Sequence, residues 1–294
     1  MGSRNNGGSE TVQTLSHSSS LIDYSRWEEN LASLRSQFQN AQPYPHIVFD
    51  DFLNEDVARE IMHQFPKPDD AQWVHYAHVN ERKMAQTKMD LLPPTARKVV
   101  EELNGPRFIH FLESLSGLSG LLPDESLQGG GLHQSKRGGY LNVHADFTSH
   151  PHRETWARRI NVIIYFNEGW QESYGGKLGL WDRDVKNCLV EIMPVFNRCV
   201  VFRTDRESFH GHPEPMQCPE NMTRKSLALY YFTEEAERPF TRGTEYKARP
   251  GDTVGKRALI FADKMALKTF FFMKRRLGLS DQAASRIVKL FSRH

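Results

Sequence analysis

The spacing of apolar residues changes character once along this chain, near Pro123. Before that point the period is helical: Trp27, Leu31, Leu34 and Phe38 recur every three or four residues and predict an amphipathic helix over 24–38. The run Tyr44-Pro-His-Ile-Val-Phe-Asp-Asp-Phe-Leu reads as a strand. Asn54 then stands where a helix cap would, ahead of Val57, Ile61, Met62 and Phe65 at helical spacing. Residues 67–93 are polar and without period. Thr95–Leu118 predicts two short helices separated by Gly105-Pro106. After Pro123 the apolar runs become short and β-rich: Tyr140–Asp146, Ile160–Phe166, Lys177–Trp181, Leu189–Met193, Cys199–Arg203 and Lys225–Phe232, divided by Gly, Asn, Asp and Pro clusters. That is the texture of an antiparallel sandwich or barrel. Beyond Glu234 the chain turns polar and then, through Ala258–Phe261, Met265–Phe272 and Ile287 to Phe291, favours helix again.

Four segments follow from this pattern: a Gly/Ser/Asn/Thr-rich tail over 1–22, a mostly helical support over 23–124, a β core over 125–235, and a basic, partly helical extension over 236–294. The tail cannot bury enough apolar surface to offset its ordering entropy. The length of 294 residues permits one large or two modest domains, and 38% apolar with 11% aromatic residues suits a soluble globular protein. Lys and Arg total 38 against 36 Asp and Glu, so the net charge of +2 makes no case for a nucleic-acid partner. Three cysteines, Cys188, Cys199 and Cys218, cannot all pair and show no CxxC spacing, which points to a reducing compartment and cytoplasmic localisation. Neither a membrane span nor a secretion signal is visible. Local charge is uneven at the end: Lys264, Lys268, Lys274, Arg275, Arg276, Arg286, Lys289 and Arg293 face Asp281 alone, an excess of seven. A solvated or packed helix is the favoured reading there, ahead of an acidic-partner surface or membrane contact.

Chemistry concentrates in the β core. Period-two alternation puts Asn142, His144 and Asp146 on one face of a strand. An imidazole and a carboxylate so aimed supply two ligands of a facial triad, in which non-haem Fe(II) keeps open positions. HxD alone is a weak pattern. A third histidine must come from elsewhere, and His210 or His212 in Ser208-Phe-His-Gly-His-Pro213 lies after a strand that leads back to the pair. On the last apolar strand Arg224, Ser226, Ala228 and Tyr230 share a face, so a guanidinium and a hydroxyl stand together as a carboxylate clamp.

The order of these blocks resembles the Fe(II)/2-oxoglutarate-dependent oxygenases, specifically the prolyl 4-hydroxylase-like branch. The blocks are Tyr140-Leu-Asn-Val-His-Ala-Asp146, Arg159-Ile-Asn-Val-Ile-Ile-Tyr-Phe-Asn167, Gly175-Gly-Lys-Leu-Gly-Leu-Trp181, Pro194-Val-Phe-Asn-Arg-Cys-Val-Val-Phe202, Phe209-His-Gly-His-Pro213 and Arg224-Lys-Ser-Leu-Ala-Leu-Tyr-Tyr-Phe232. The resemblance implies an α+β fold: a double-stranded β-helix (jelly-roll) core with N-terminal supporting helices and a C-terminal helical extension. It implies a hydroxylase that uses Fe(II), 2-oxoglutarate and O2, with ascorbate as a stimulant, and releases succinate and CO2. His144, Asp146 and His210 become the metal and catalytic residues, His210 matching better than His212. Tyr165, Arg224 and Ser226 become 2-oxoglutarate contacts. Asn161, on the face of Tyr165, is a further candidate contact. The substrate implied is a prolyl or other residue of a peptide, an amino acid or a small metabolite. An aspartate at 146 favours hydroxylation over halogenation, for which a small residue leaves room for chloride.

Other residues carry plainer expectations. His133, His150 and His152 could crowd the site, with His150-Pro-His152 read as an exposed loop. Arg158 reads as a surface charge and Trp181 as packing. Two rivals stand beside the oxygenase: a β-barrel module that binds a small acid without oxidising it, and a zinc hydrolase with Glu207 as its base.

Overall fold

The computed structural model describes residues 20–277, the side chains of 266–277 excepted. Its helices are α1 (Ser25–Glu28), α2 (Leu31–Asn40), α3 (Glu55–Gln64), α4 (Pro94–Leu103), α5 (Pro106–Ser116) and α6 (Val254–Leu277). The helix expected over 24–38 is thus broken at Glu29-Asn30 into two. Asn54 caps α3 by accepting from the Asp56 amide at 3.1 Å. Proline opens both α4 and α5, where the missing N–H costs nothing, and Gly117 at φ +77° closes α5 in the left-handed region. Of the tail expected over 1–22, residues 1–19 lie outside the described residues, as does the chain after 277, while Ile22 is buried in the core with Leu21 packed against it.

The strands are β1 (His46–Phe49), β2 (Val74–His78), β3 (Glu81–Gln86), β4 (Leu121–Pro123), β5 (Gly131–Ser135), β6 (Tyr140–Ala145), β7 (Trp156–Tyr165), β8 (Leu178–Trp181), β9 (Cys188–Ile192), β10 (Cys199–Arg203), β11 (His210–His212), β12 (Arg224–Glu234) and β13 (Glu245–Tyr246). They form one 13-stranded antiparallel sheet in the order β1-β10-β7-β12-β5-β3-β6-β11-β8-β9, with β13 on β6, β2 on β3 and β4 on β12. This sheet curls on itself as the expected double-stranded β-helix. It draws strands from well outside 125–235: β3 joins β5 to β6, and β1 forms an edge. Residues 67–93, which lack any period, therefore supply a hairpin at the middle of the sheet. Every residue of β2 is exposed, so no alternation is imprinted on its sequence.

β7 and β12 divide the interior in two. Ile160, Val162 and Ile164 with Leu227, Leu229 and Tyr231 pack outward against Val99, Leu103, Phe108 and Leu112 of the helices. Phe108 is completely buried, so truncation to alanine would cost roughly 3–5 kcal/mol. The opposite face puts Tyr165 in an inner cluster with Tyr44, Leu178, Leu180, Ile192, Val200 and Phe202. Along β7 the alternation slips once. Tyr231 pairs with Ile160 but Phe232 pairs with Arg158, which leaves Arg159 as the extra residue of a β-bulge. A second slip lies between β6 and β11, where His210 pairs with His144 and His212 with Leu141.

Candidate active site

Inside the mouth of the barrel, three side chains from two neighbouring strands converge. His144 Nε2 lies 3.5 Å from Asp146 Oδ1, and His210 Nε2 lies 3.5 Å from Asp146 Oδ2. One donor atom from each falls within 4.8 Å of the other two, a group able to hold a metal ion. The register of β11 against β6 is what brings His210 opposite His144. Gly211 permits that approach, since a Cβ there would sit 2.8 Å from the Leu141 carbonyl oxygen. His212 falls opposite Leu141 and outside the group of three.

The tautomers are set by the backbone. His144 Nδ1 is 2.9 Å from the Asn142 carbonyl and His210 Nδ1 is 3.0 Å from the Ser208 carbonyl. A carbonyl only accepts, so both Nδ1 atoms carry the proton and both Nε2 lone pairs point at the shared space. The turn before His210 is fixed by Asp205, which accepts from the Glu207 amide and the Ser208 hydroxyl. Tyr44 donates to the Phe209 carbonyl at 2.9 Å. Burial, and then repulsion from His144, lowers the His210 pKa to about 4, so the ring is neutral near pH 7.

Asp146 is held by two residues of β7. Arg158 Nη2 approaches Oδ2 at 3.0 Å and Asn161 Nδ2 donates to the same oxygen at 2.8 Å. Arg158 also donates from Nε and Nη2 to Asn161 Oδ1, at 3.0 and 2.7 Å. Burial would raise the Asp146 carboxyl, but the charges of Arg158 and His210 and the contact with His144 prevail and hold it well below the usual carboxylate range. Arg158 is thus buried at 3% exposure, not the surface charge its sequence context suggests. The bulge at Arg159 is the reason: strict alternation would have put Arg159 on Asn161's face, and the extra residue puts Arg158 there instead. Its guanidinium lies over the rings of Tyr230 and Phe147, at 3.5 and 4.4 Å. A hollow of about 600 Å³, lined in part by Arg158, Arg206, Arg238 and Phe240, opens beside it.

Deeper in the barrel lies the expected clamp. Arg224 donates from Nε to the Gly176 carbonyl at 2.8 Å and from Nη2 to the Tyr165 hydroxyl at 3.2 Å. Gly176 sits at φ +73°, and a Cβ on it would meet Met216 Sδ at 2.7 Å, which explains the Gly-Gly block. Ser226 pairs across the sheet with Tyr165 on one side and His133 on the other. His212 is buried and His133 half-buried, and the inward atoms His133 Nε2 and His212 Nδ1 have no hydrogen-bond partner. Burial lowers both, His133 to about 3, with the Arg224 charge contributing to each. Unpartnered polar atoms beside a buried guanidinium fit a polar anionic guest.

Other expectations resolve differently. His150 is 4% exposed and 3.3 Å from Asp124, packed edge-on against Trp156 and Phe232, so it is a buried structural residue and not an exposed loop. Glu207 is bound at the surface by Arg183 at 2.7 Å and offers no base to the site. Asn142 donates to Val79 and Asn80 and takes no part in the group of three. Tyr246 of β13 enters unannounced by any motif, its ring 5.4 Å from His144.

Comparison with known proteins agrees with this picture. Residues 130–232 match the model of the 2OG-Fe(II) oxygenase superfamily. No curated protein matches the chain. Among solved structures, a prolyl hydroxylase of Trichoplax adhaerens in complex with a hypoxia-inducible-factor oxygen degradation domain peptide fragment superposes with TM-score 0.52 at 17% identity, over 71% of this chain and 93% of that one. A Pseudomonas putida prolyl-4-hydroxylase gives 0.48 at 16% identity, over 69% and 99%. The first of these shares the α+β fold with its double-stranded β-helix core. The barrel has the fold of that prolyl hydroxylase, and the segment 130–232, which carries most of the site, is similar to the 2OG-Fe(II) oxygenase superfamily. Residues 130–232 thus carry a segment similar to the 2OG-Fe(II) oxygenases, the class of enzyme that uses Fe(II), 2-oxoglutarate and O2. No helix among the described residues is long and apolar enough to cross a membrane.

Proposed function

We propose that His144, Asp146 and His210 hold the Fe(II), that Arg224, Tyr165 and Ser226 hold 2-oxoglutarate, and that the C–H bond oxidised belongs to a prolyl or other residue of a peptide, an amino acid or a small metabolite. The observation that carries this reading is the convergence of two Nε2 lone pairs and one ionised carboxylate at the β6–β11 pair, in a barrel whose strand β12 carries the buried Arg224 guanidinium. Two imidazoles and a carboxylate on one side of a cavity are the donor set that suits non-haem Fe(II) and leaves positions open. Fe(II) held by His144, Asp146 and His210 would supply the oxidising chemistry, with 2-oxoglutarate and O2 as co-substrates and succinate and carbon dioxide as co-products.

The protein's part is orientation and exclusion of water. Backbone carbonyls keep both ligand rings in one tautomer. Asn161 and Arg158 engage Oδ2 of Asp146 and so fix the plane of its carboxylate. Arg224 spends Nε and Nη2 on Gly176 and Tyr165, which leaves Nη1 for the distal carboxylate of 2-oxoglutarate. Because the Tyr165 oxygen accepts from Arg224, its own proton is free to be donated to that carboxylate. Tyr165 is fully buried and Arg224 is 8% exposed, so the charge pair would form with little competing water. Arg158, facing both Asp146 and the adjacent hollow, stands where a substrate backbone or carboxylate would approach.

Succinate release from 2-oxoglutarate in the presence of Fe(II) and air, together with a mass gain of one oxygen in a library of proline-containing peptides and metabolites, tests the reading. Tight 2-oxoglutarate binding without succinate under any substrate would instead indicate a small-acid sensor.

A further inference from the structure

The helix α6 presents two unlike faces. Asp252, Lys256, Ile260, Asp263 and Lys264 follow one another at helical spacing and face the barrel: Ile260 is 3% exposed, Asp263 accepts from Asn80 at 2.8 Å and pairs with His78 at 3.1 Å, Lys256 pairs with Asp252, and Lys264 pairs with Glu245 of β13. The other face is bare and apolar. Val254 is 82% exposed, Phe261 64% and Met265 44%, at i, i+7 and i+11, while Leu259, 57% exposed, projects from the flank between the two faces. Large side chains this exposed, grouped on one helix, are unusual on a surface that meets only water. Charge identifies what covers them. Between Val254 and Leu277 the sequence carries Lys256, Arg257, Lys264, Lys268, Lys274, Arg275 and Arg276 against Asp263 alone, and it continues the apolar content through Phe270-Phe-Phe-Met273.

We propose that α6 docks the protein on an anionic lipid bilayer, lying in the interface with its bare apolar face turned into the acyl boundary and its lysines and arginines against the headgroups. Apolar and basic residues on one helix are the two features that interfacial binding sums. A second copy of the chain fits less well, because pairing this face with itself brings two sets of cations together. A nucleic acid fits less well too, since phosphates give Leu259, Phe261 and Met265 nothing to bury against. The helix is too basic to span, and the barrel-facing residues keep its first turns on the domain, so the chain would lie on the membrane and not cross it.

Co-sedimentation of the full chain with vesicles of phosphatidylcholine alone, and of equal parts phosphatidylcholine and phosphatidylglycerol, tests this. Binding to the mixed vesicles, weakened by salt, is expected, with little binding to phosphatidylcholine alone. Phe261→Ser combined with Met265→Ser should lower the partition coefficient by roughly tenfold or more while 2-oxoglutarate turnover stays unchanged, and Val74→Ser on the exposed β2 should leave binding intact. Absence of binding, equal binding to both vesicle types, or unaltered binding of the double variant would overturn the proposal. So would a concentration-dependent dimer, or retention on duplex DNA, abolished by the double variant in place of vesicle binding.

Discussion

Arg158 and Asp146 form an ion pair at 3.0 Å in which both partners are shielded from solvent, and the carboxylate so held is also the one that His144 and His210 both approach. A cation so close pulls the carboxyl pKa down and fixes its orientation, while taking up part of the negative charge a metal would use. For Arg158→Met the expected outcome is therefore a loss of orientation. Turnover should fall about 10- to 100-fold, as for other residues that position a metal ligand. Metal loss on acidification should also begin at higher pH than in the wild type, because removing the guanidinium lets Asp146 take up its proton sooner. Titration of Co(II) into both proteins across pH 4–7 measures this, and identical midpoints would remove Arg158 from the role.

His144→Ala, Asp146→Ala and His210→Ala should each abolish metal binding and succinate formation, since a triad lacking one ligand loses affinity and geometry together. His212→Ala should keep the metal, because that ring lies opposite Leu141 and outside the converging group. Metal content after anaerobic loading separates the four variants. Retained iron in His210→Ala with none in His212→Ala would reverse the assignment.

Arg224→Ala removes the charge partner from a buried carboxylate site, at about 2–5 kcal/mol. The Kd for 2-oxoglutarate should rise by a factor of roughly 30 or more. Arg224→Lys should recover part of this, because an ammonium cannot serve Gly176, Tyr165 and the ligand in one plane. Ser226→Ala should lose least, one neutral hydrogen bond being worth about 0.5–1.5 kcal/mol. The charge-transfer absorption of the anaerobic Fe(II) protein follows all three titrations, and an unmoved Kd in Arg224→Ala would sink the clamp.

Stability of the metal-free protein should decline on mild acidification. His133 titrates at about 3 and His210 at about 4 when folded, against about 6.5 when unfolded. Between those values and 6.5 the unfolded chain binds protons that the folded one does not, so stability falls as pH drops through that window and is insensitive to these groups above it. Chemical denaturation at pH 7.5 and 5 measures the difference. His133→Gln should flatten the dependence; an unchanged slope in that variant would show that the ring does not carry it.

Much of this site is legible in the sequence because its residues lie on strands with clean alternation. His144 with Asp146, and Arg224 with Ser226, stand at period-two positions, Tyr165 is marked by the resemblance, and the two helices within 95–118 are marked by apolar spacing and Gly105-Pro106. Arg158 escapes for a definite reason: a bulge is a change of register between two strands, visible only once the partner strand is known, and no single-strand pattern encodes it. His150 escapes because its partner Asp124 is brought near by the fold and not by sequence. The β2–β3 hairpin leaves no periodic trace, since β2 is exposed on both sides. Tyr246 belongs to a two-residue strand, too short for any pattern.

The position of β3 bears on how this enzyme can be cut. Met84, Ala85 and Gln86 pair with β5, and Glu81 and Arg82 pair with β6, so a strand supplied 44 or more residues upstream of the matched segment is the seam between the sheet's two halves. Excising 130–232 as a portable module would leave β5 and β6 with open, hydrogen-bond-hungry edges facing each other across a missing strand. The stretch that matches the family is therefore not a complete sheet by itself, and a folded truncation would have to retain the hairpin at 74–86 before anything at the termini is worth trimming.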